Sequence, residues 1–443
     1  MNGSILQLVS FGKEDEYLTS RPQISFFNIV FKRHTYFAIE TMEQSLFGEN
    51  NFGGTSVCKI SKNGDLLGPC FLKVTLPKIN TKQEFQNYGL YYYHDTFENK
   101  SKWVNRVGFR LIKNIKLKIG SQIIDELYST WMYVWAELFY NNNKKSMLDK
   151  MVGTKGSDGS RNGLNTNTTH DLQIPLMFSF FRHPSLYIPL LSLEYNDVEF
   201  QIEFETLENC YFVNNDNQRT TNNLSGNLSN VSLSCDYIFL DEEEKTNLKK
   251  YNYDYLIETL QSQENIKVNN GKNENIELDF YHPIKELFWI VRRNYSNNVG
   301  DKFTDFTNNA SGITLASEGT IIDGSLDEDD IAFSLGKSGT LSNISFARIY
   351  LNEEARISER NNTYFNYIIP YQHHKSSPDL GINVYSFSLY PEEHQPSGVC
   401  NFSRLQKKSL SITSKTNGLL NIYALGYNVI RVKNGFGQLA YAK

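Results

Sequence analysis

The chain has 443 residues, of which 14% are aromatic and 21% are charged. This length predicts two or three domains instead of one small core, and the aromatic content excludes a wholly disordered chain. The formal net charge of -5 gives the molecule no general attraction to a phosphate backbone, so we do not expect direct binding to nucleic acid.

Cysteine usage and the N-terminus indicate where the protein is made. The cysteines are odd in number and form no C-x-x-C pair, which argues against a disulfide framework and a zinc site; they are Cys58, Cys70, Cys210, Cys235 and Cys400. The first residues have neither a basic region nor an apolar core long enough for a signal peptide, and no later apolar run approaches bilayer-spanning length. We therefore expect a protein that is soluble when made, in a reducing compartment.

In the first half of the chain, strand signals begin near Ile24, after an N-terminal arm of residues 1–23. Alternation of apolar and polar side chains predicts strands at residues 115–119 and 198–205, each with one buried and one wet face. Between them, residues 125–140 carry apolar side chains at helical spacing. This spacing predicts a helix that packs across one sheet edge.

A charged segment follows and divides the chain. Asp241 begins an acidic first turn with lysines towards its far end, which predicts a second helix, and we place a linker at residues 242–254. Beyond the linker, alternation again predicts strands at residues 276–280, 384–389 and 410–413. Both halves thus contain half-buried strands, and the sequence predicts an all-β protein with two sheet-rich domains.

Three long stretches rich in Asn, Ser, Gly and Thr interrupt the strands, at residues 141–169, 214–230 and 296–340. Because loop-closure entropy grows only slowly with length, we expect these stretches to be surface loops. Two of them hold the best candidates for N-glycosylation among the many N-x-S/T sequons, namely Asn223, Asn227 and Asn309. Glycan addition normally needs a secretory route that the N-terminus does not indicate, so the unmodified state is favoured at any one site.

No pattern nominates a catalytic residue or a cofactor site. GFGQLA at residues 435–440 has the spacing of a nucleotide-binding fingerprint, but no helix follows it, so a terminal turn and edge strand is favoured. His373 and His374 are adjacent, and on an extended segment they would point to opposite faces, which argues against a shared metal ion. The acidic run at residues 327–330 lacks the turn glycine and distal glutamate of an EF-hand loop and is interpreted as solvated.

Several motifs resemble those of the major capsid proteins of nucleocytoplasmic large DNA viruses. Near the C-terminus they are PEEHQPSGVCNFSR at 391–404, GYNVIR at 426–431 and NGFGQLAY at 434–441; near the N-terminus they are LQLVSFG at 6–12 and PQISFF at 22–27. Further similar motifs fall between these ends in the expected order, so the resemblance covers nearly the whole chain. The long polar stretches depart from the pattern.

The resemblance implies two consecutive eight-stranded antiparallel jelly rolls with a few short helices in the connections. On this basis the chain divides into the arm, a first jelly roll of residues 24–241, the linker, and a second jelly roll of residues 255–443. The resemblance implies a protein that is not an enzyme and that needs no cofactor and no metal.

The implied function is structural. Three copies would form a trimeric capsomer whose pseudo-hexagonal outline tiles the icosahedral shell of a large double-stranded DNA virus. The expected partners are the chain itself as a homotrimer, neighbouring capsomers, minor capsid proteins and inner viral membrane proteins, without direct contact to nucleic acid. The expected location is the virion capsid, after synthesis and assembly in the host cytoplasm.

The segment before the last strands is predicted to be a tight corner. Pro396 fixes its own backbone angle and Gly398 permits a positive φ, so this segment can turn into the next strand. Arg404 follows the corner and is predicted to pair with a carboxylate at a domain or subunit seam.

Two other functions stay open. A glycan-binding jelly-roll protein would carry exposed Trp and Tyr beside polar loops, whereas a metal-dependent jelly-roll enzyme would need clustered histidine ligands. The eight histidines show no such cluster in the sequence, which weighs against the enzyme. Lectin activity is harder to reject, because a capsid subunit can also touch host sugars through its loops.

Overall fold

The computed structural model describes residues 3–29, 31–79, 101–153, 164, 166–213, 226–250, 252–293, 306, 342–376, 378 and 381–441. The chain forms two compact units, Met1–Phe37 and Ala38–Lys443. Within the described ranges, no helix has both the length and the apolar character needed to cross a bilayer.

The first unit holds two short helices, α1 (Gly3–Val9) and α2 (Glu16–Thr19). Many of its large apolar side chains are exposed, including those of Ile5, Leu8, Leu18, Phe26, Phe27 and Phe31. Phe27 is 99% exposed, so this segment does not bury its own apolar surface. Such surface is costly to leave in water, and the segment forms no apolar core of its own among the described residues.

The prediction that strands begin near Ile24 is wrong. The first strand in the described part of the chain, β1, spans Phe37–Ser45. Residues 24–29 are rich in apolar side chains, but a strand also needs a neighbour that takes up its backbone hydrogen bonds.

The first jelly roll contains eleven described strands. They are β1, β2 (Phe47–Gly48), β3 (Thr55–Lys59), β4 (Leu66–Leu76), β5 (Ser101–Trp103), β6 (Ile112–Ile119), β7 (Gln122–Tyr128), β8 (His170–Pro175), β9 (Val198–Phe204), β10 (Tyr211–Val213) and β11 (Ser229–Leu240). One sheet has the order β1-β11-β4-β8 and the other has the order β2-β3-β9-β6-β7, while β5 and β10 form a separate pair. The two large sheets share one apolar core.

Alternation sets the inward face of these strands. Val198, Phe200, Ile202 and Phe204 of β9 are buried, and the polar residues between them are half-buried. β9 pairs with β6 on one side and β3 on the other, which places it in the middle of its sheet. The predicted strands at 198–205 and 115–119 are therefore confirmed.

Four described α-helices connect the strands of this jelly roll: α3 (Val107–Leu111), α4 (Ser129–Phe139), α5 (Asn142–Val152) and α6 (Ser179–Arg182). The helix predicted at 125–140 begins later than expected, at Ser129. Residues up to Tyr128 belong to β7 instead, because they pair with β6.

Helix α5 lies inside the polar stretch that was predicted to be a loop. The Asn141 side chain accepts a hydrogen bond from the Lys144 N–H at 3.0 Å, which caps the helix, and Gly153 ends it at a φ of +87°. Capping residues can be recognised in a polar stretch, and here they outweigh its loop-like composition.

The connection between the two jelly rolls is helical. Helix α7 spans Glu242–Lys250, and the Asp241 carboxylate caps it by accepting from the Glu244 N–H at 2.8 Å. The helix predicted to begin at Asp241 is confirmed. The next strand begins at Tyr253; the exact domain boundaries stay a prediction.

The second jelly roll contains ten described strands. They are β12 (Tyr253–Val268), β13 (Asn273–Glu277), β14 (Pro283–Arg293), β15 (Ile344–Leu351), β16 (Glu354–Asn361), β17 (Asn383–Ser386), β18 (Cys400–Asn401), β19 (Lys408–Ser414), β20 (Gly418–Lys433) and β21 (Phe436–Leu439). One sheet has the order β12-β20-β14-β17, with β18 beside β14 and β21 beside β20, and the other has the order β13-β19-β15-β16. The fold is thus the predicted pair of jelly rolls, mostly β with short helices.

The strand predictions for this half hold in position but not always in length. Residues 410–413 lie within β19 as predicted. The strand predicted at 276–280 ends at Glu277, and the one predicted at 384–389 ends at Ser386. The N–H groups of Leu278 and Phe387 still bond to the neighbouring strands, but the strands go no further although the apolar alternation continues.

Two central strands of the second jelly roll are buried on both faces. β14 is buried from Ile284 to Val291, and β20 is buried over most of its length. One face of these strands contributes to the core of the second jelly roll, and the other packs into the apolar cluster of the first. Near-continuous apolar sequence, such as LFWIV in β14, is what such a position requires.

The remaining turn predictions have mixed outcomes. The segment at 435–440 contains β21, paired with β20, which confirms the terminal turn and edge strand. The corner at Gly398 is confirmed by a φ of +144°. The extended conformation expected at both histidines is found only at His374, because His373 ends helix α8 (Ile369–His373), which continues a π-helix at Tyr364–Ile368.

Candidate functional site

The candidate functional site is the seam where the two jelly rolls meet. Helix α4 lies in this seam, and its residues from Ser129 to Leu138 are all buried. Trp131 of α4 contacts Phe288 of β14 and Tyr423 of β20, with ring centroids 5.0 and 5.4 Å away. The prediction that this helix packs across a sheet edge is therefore wrong: the helix is covered on both sides, which explains apolar residues all round it.

A cluster of charged side chains lies beside the aromatic contact. Glu258 of β12 forms ion pairs with Arg182 of α6 and with Lys285 of β14, the latter at 2.5 Å. The Lys285 Nζ also donates to the Pro391 carbonyl at 2.8 Å. Because Arg182 belongs to the first jelly roll and Glu258 and Lys285 belong to the second, this cluster joins the two.

Burial governs the electrostatics of this cluster. The Lys285 side chain is 1% exposed, and burial, with repulsion from Arg182, lowers its pKa. Burial also lowers the pKa of Arg182, to about 10. Arg182 is further covered by the Trp135 ring, 5.0 Å from its guanidinium carbon. The Glu258 carboxylate pairs with both of these cations and so offsets the cost of removing their charges from water.

His374, which follows helix α8, forms a second buried ionic contact. Its Nε2 lies 2.9 Å from a Glu286 carboxylate oxygen, and its Nδ1 lies 3.4 Å from a Glu392 oxygen. Burial alone would lower the pKa of His374, but the two carboxylates outweigh it and raise that pKa to about 9. The imidazolium therefore ties α8, β14 and the loop around Glu392 together.

A third contact joins backbone to side chain across the seam. The Asp125 carboxylate of β7 accepts a hydrogen bond from the Leu260 N–H of β12 at 2.9 Å. Burial raises the pKa of Asp125 to about 7. The C-terminal strand adds to the same joint, since the Leu439 N–H donates to the Gln122 side chain at 2.9 Å and the Gly437 N–H donates to Asn196 at 3.2 Å.

These seam residues were not identified from the sequence. The usable signal was the pair Lys285 and Glu286, two charged residues inside an otherwise apolar strand. A charge in such a run needs a buried partner. The partners Glu258 and His374 are distant in sequence, so only the fold brings them together.

The predicted site residues lie elsewhere. Asn227 is exposed, and its side chain accepts a hydrogen bond from Asn51 at 2.9 Å. Asn223, Asn309 and the acidic run 327–330 fall outside the described residues. Arg404 is exposed in a short 3-10 helix, and no ion pair of its side chain occurs within the described ranges.

The two adjacent histidines contact different partners. His373 contacts the Leu389 carbonyl oxygen at 3.0 Å, while His374 is engaged by Glu286. In the part of the chain that the structure describes, no group of three or more His, Cys, Asp or Glu side chains is placed to hold a metal ion.

Two known protein families match the two halves of this chain. Residues 25–241 match the family described as "Major capsid protein N-terminus", and residues 244–438 match "Large eukaryotic DNA virus major capsid protein". The major capsid proteins of Phaeocystis pouchetii virus and of Paramecium bursaria Chlorella virus 1 are each 32% identical to this chain, with all of both chains covered.

The fold is matched as well. The quasi-atomic structure of the PBCV-1 virus capsid superposes with a TM-score of 0.73 at 28% identity, covering 95% of this chain and 100% of that one. The full-length matches agree with the resemblance of the terminal motifs. The chain belongs to the family of major capsid proteins of large eukaryotic DNA viruses, and it is a structural capsid protein.

Proposed function

We propose that three copies of this chain form a trimeric capsomer, and that such capsomers tile the icosahedral shell of a large double-stranded DNA virus. The observation that carries the proposal is the seam, which joins two jelly rolls within one compact unit. Two fused lobes repeated three times around an axis give six lobes, and a six-lobed outline packs a flat facet with a single gene product.

Capsomer contacts in this proposal come from surfaces that one copy leaves open. The first unit, with Phe26 and Phe27 exposed, is an arm that reaches a neighbouring copy or the inner layer of the particle. Minor capsid proteins and inner membrane proteins are the further partners that we propose for it. The chain's net charge of -5 gives no reason for contact with the packaged nucleic acid.

Two smaller proposals follow from the sequence predictions. Arg404 is exposed, so it is free to reach a carboxylate of a neighbouring copy. Asn227 is exposed on the first jelly roll, and it is the described sequon that we propose for glycan attachment, together with Asn223 and Asn309. We place assembly in the host cytoplasm, where the free thiols of Cys58 and Cys70 stay reduced.

The test is the solution mass of the purified full chain, measured by light scattering coupled to size exclusion. A trimer of a 51.1 kDa chain has three times that mass, and this is the expected species. A chain that stays monomeric at every concentration would overturn the trimeric capsomer while leaving the fold and the family untouched.

A further inference from the structure

We propose that a cavity at one corner of the second jelly roll binds a neutral saccharide unit. The cavity has a volume of about 560 Å³, which lies in the range of small-molecule sites, roughly 300–1,000 Å³. Its polar lining comes from Gln263, Glu277, Asp279, Tyr281, Gln406 and Lys408. This inference goes beyond the shell function and does not depend on the trimer.

One wall of the cavity is fixed by two glutamine side chains of β12. Gln261 donates to the Tyr281 carbonyl at 2.7 Å and accepts from the Tyr281 N–H at 2.9 Å. Gln263 does the same one step along, donating to the Glu277 carbonyl at 3.2 Å and accepting from the Asp279 N–H at 3.3 Å. The two side-chain amides thus replace a neighbouring strand and hold residues 277–281 in place before any ligand arrives.

The opposite wall is tied to the first by Lys408. Its Nζ donates to the Phe280 carbonyl at 3.0 Å and to the Phe402 carbonyl at 3.3 Å. The side chain is only 9% exposed, yet it lines the cavity. The ammonium also lies 5.3 Å from the centroid of the Tyr281 ring. It has no third oxygen acceptor among the described residues, so a ligand oxygen at its third N–H would lie beside that ring.

The lining combines an aromatic ring with both donors and acceptors. Tyr281 is 40% exposed, and interaction with the Asp279 carboxylate raises the pKa of its phenol. Asp279 and Glu277 accept hydrogen bonds, Lys408 donates, and Gln406 can do both. Sugar hydroxyls donate and accept in the same way, and the C–H face of a sugar ring packs against an aromatic side chain.

Charge disfavours an anionic ligand. The lining carries two carboxylates, Asp279 and Glu277, against the single Lys408 ammonium, so it repels an anionic sugar. A neutral hexose or N-acetylhexosamine avoids this repulsion, and its hydroxyls can donate to the exposed Asp279 and Glu277 carboxylates. The source of such a unit is either an external glycan or a glycan carried by the particle itself.

The experiment is saturation-transfer NMR on the full chain made in bacteria, which lack this glycosylation. The probes are glucose, galactose, mannose and N-acetylglucosamine, with glucuronic acid as the anionic comparison. We expect saturation of at least one neutral sugar, with a Kd on the order of 1 mM, and none of glucuronic acid. If none of the neutral probes is saturated, or if glucuronic acid binds as well as they do, the proposal is overturned.

Variants locate the binding. Asp279→Asn and Gln406→Ala keep both walls intact and should each weaken sugar binding, whereas Tyr281→Ala should abolish it. The matched control is Tyr371→Ala, which replaces a tyrosine that is 88% exposed elsewhere on the second jelly roll. Equal binding by Asp279→Asn, Gln406→Ala and the control would overturn the site even if Tyr281→Ala does not fold. With protein from particles, binding that appears only after glycosidase treatment assigns the sugar to the particle, and binding without treatment assigns it to an external glycan.

Discussion

Trp131 on helix α4 meets Phe288 on strand β14 edge to face, with their ring centroids 5.0 Å apart and their planes at 69°. The first residue belongs to one jelly roll and the second to the other, and both side chains are at most 1% exposed. Edge-to-face contact between buried rings is favourable beyond the area that it buries. This pair is therefore the apolar centre of the seam.

Replacing Trp131 by alanine should destabilise the chain strongly. The substitution leaves a cavity between Phe288 and Tyr423, and truncation of a buried Trp costs about 3–5 kcal/mol. Denaturant unfolding followed by circular dichroism measures the loss. Tyr371→Ala, at an exposed position, is the control and should leave the free energy of unfolding unchanged. A Trp131→Ala protein as stable as that control would contradict the role given to the seam.

Removing the carboxylate of Glu258 should be costly because two buried cations would lose their shared partner. Glu258→Gln removes the carboxylate that forms ion pairs with both Arg182 and Lys285, and breaking a buried ion pair in this way costs about 3–5 kcal/mol. Asp254→Asn is the matched control on the same strand, since it removes an exposed ion pair with Arg431 and should change stability little. Equal effects of the two variants in denaturant unfolding would show that the buried pair is not special.

His374 should make stability fall as the pH rises. Its pKa is raised from 6.5 to about 9 in the folded chain, so its ionic contribution is complete below pH 6.5, declines between these values and is absent above 9. A shift of this size corresponds to on the order of 3 kcal/mol. His374→Gln should remove that part of the pH dependence.

The measurement is the free energy of unfolding of both proteins at pH 6 and pH 9. Asp125 and Lys285 titrate in both proteins, so the difference between wild type and variant isolates His374. The gap between the two proteins should be larger at pH 6. A gap that does not change with pH would refute the assignment.

Deleting residues 2–20 should leave the two jelly rolls folded but weaken assembly. These residues lie in the first compact unit and precede the first described strand, so the two jelly rolls should fold without them, and the proposed contacts with other copies should be lost. Circular dichroism should be unchanged apart from the lost helices, while the trimer mass or its association into larger arrays should decline. Assembly as strong as that of the full chain would remove the arm from the proposed contacts.

Arg404→Ala should fold normally because the side chain is exposed. If Arg404 pairs with a carboxylate of another copy, the variant should dissociate at a higher protein concentration than wild type, and more so at low salt. Arg404→Lys is the control, because it keeps the charge. Identical dissociation of all three proteins would leave Arg404 without a role at a seam.

Periodicity and motifs predicted the fold well, whereas the seam escaped both. The strand at Val198–Phe204 was legible because each side chain reports its own face. In β14 the sequence does not show which face each side chain occupies, because Phe288 and Trp289 are both fully buried, on opposite sides of the strand. Pairing of Glu258 with Lys285 likewise depends on how two strands are placed, which no local pattern specifies.

The double burial of β14 and β20 has a consequence for how the chain comes apart. Each of these strands contributes to the apolar cores of both jelly rolls. Unfolding of the second jelly roll therefore also exposes the core of the first. We therefore expect the backbone amides of Phe288 and Tyr423 to exchange their hydrogens only when both halves open, and the slowest-exchanging amides of the two lobes to report a single opening free energy. The two lobes are thus expected to unfold as one cooperative unit. Separating them at the α7 connection would expose apolar faces of β14 and β20 to water.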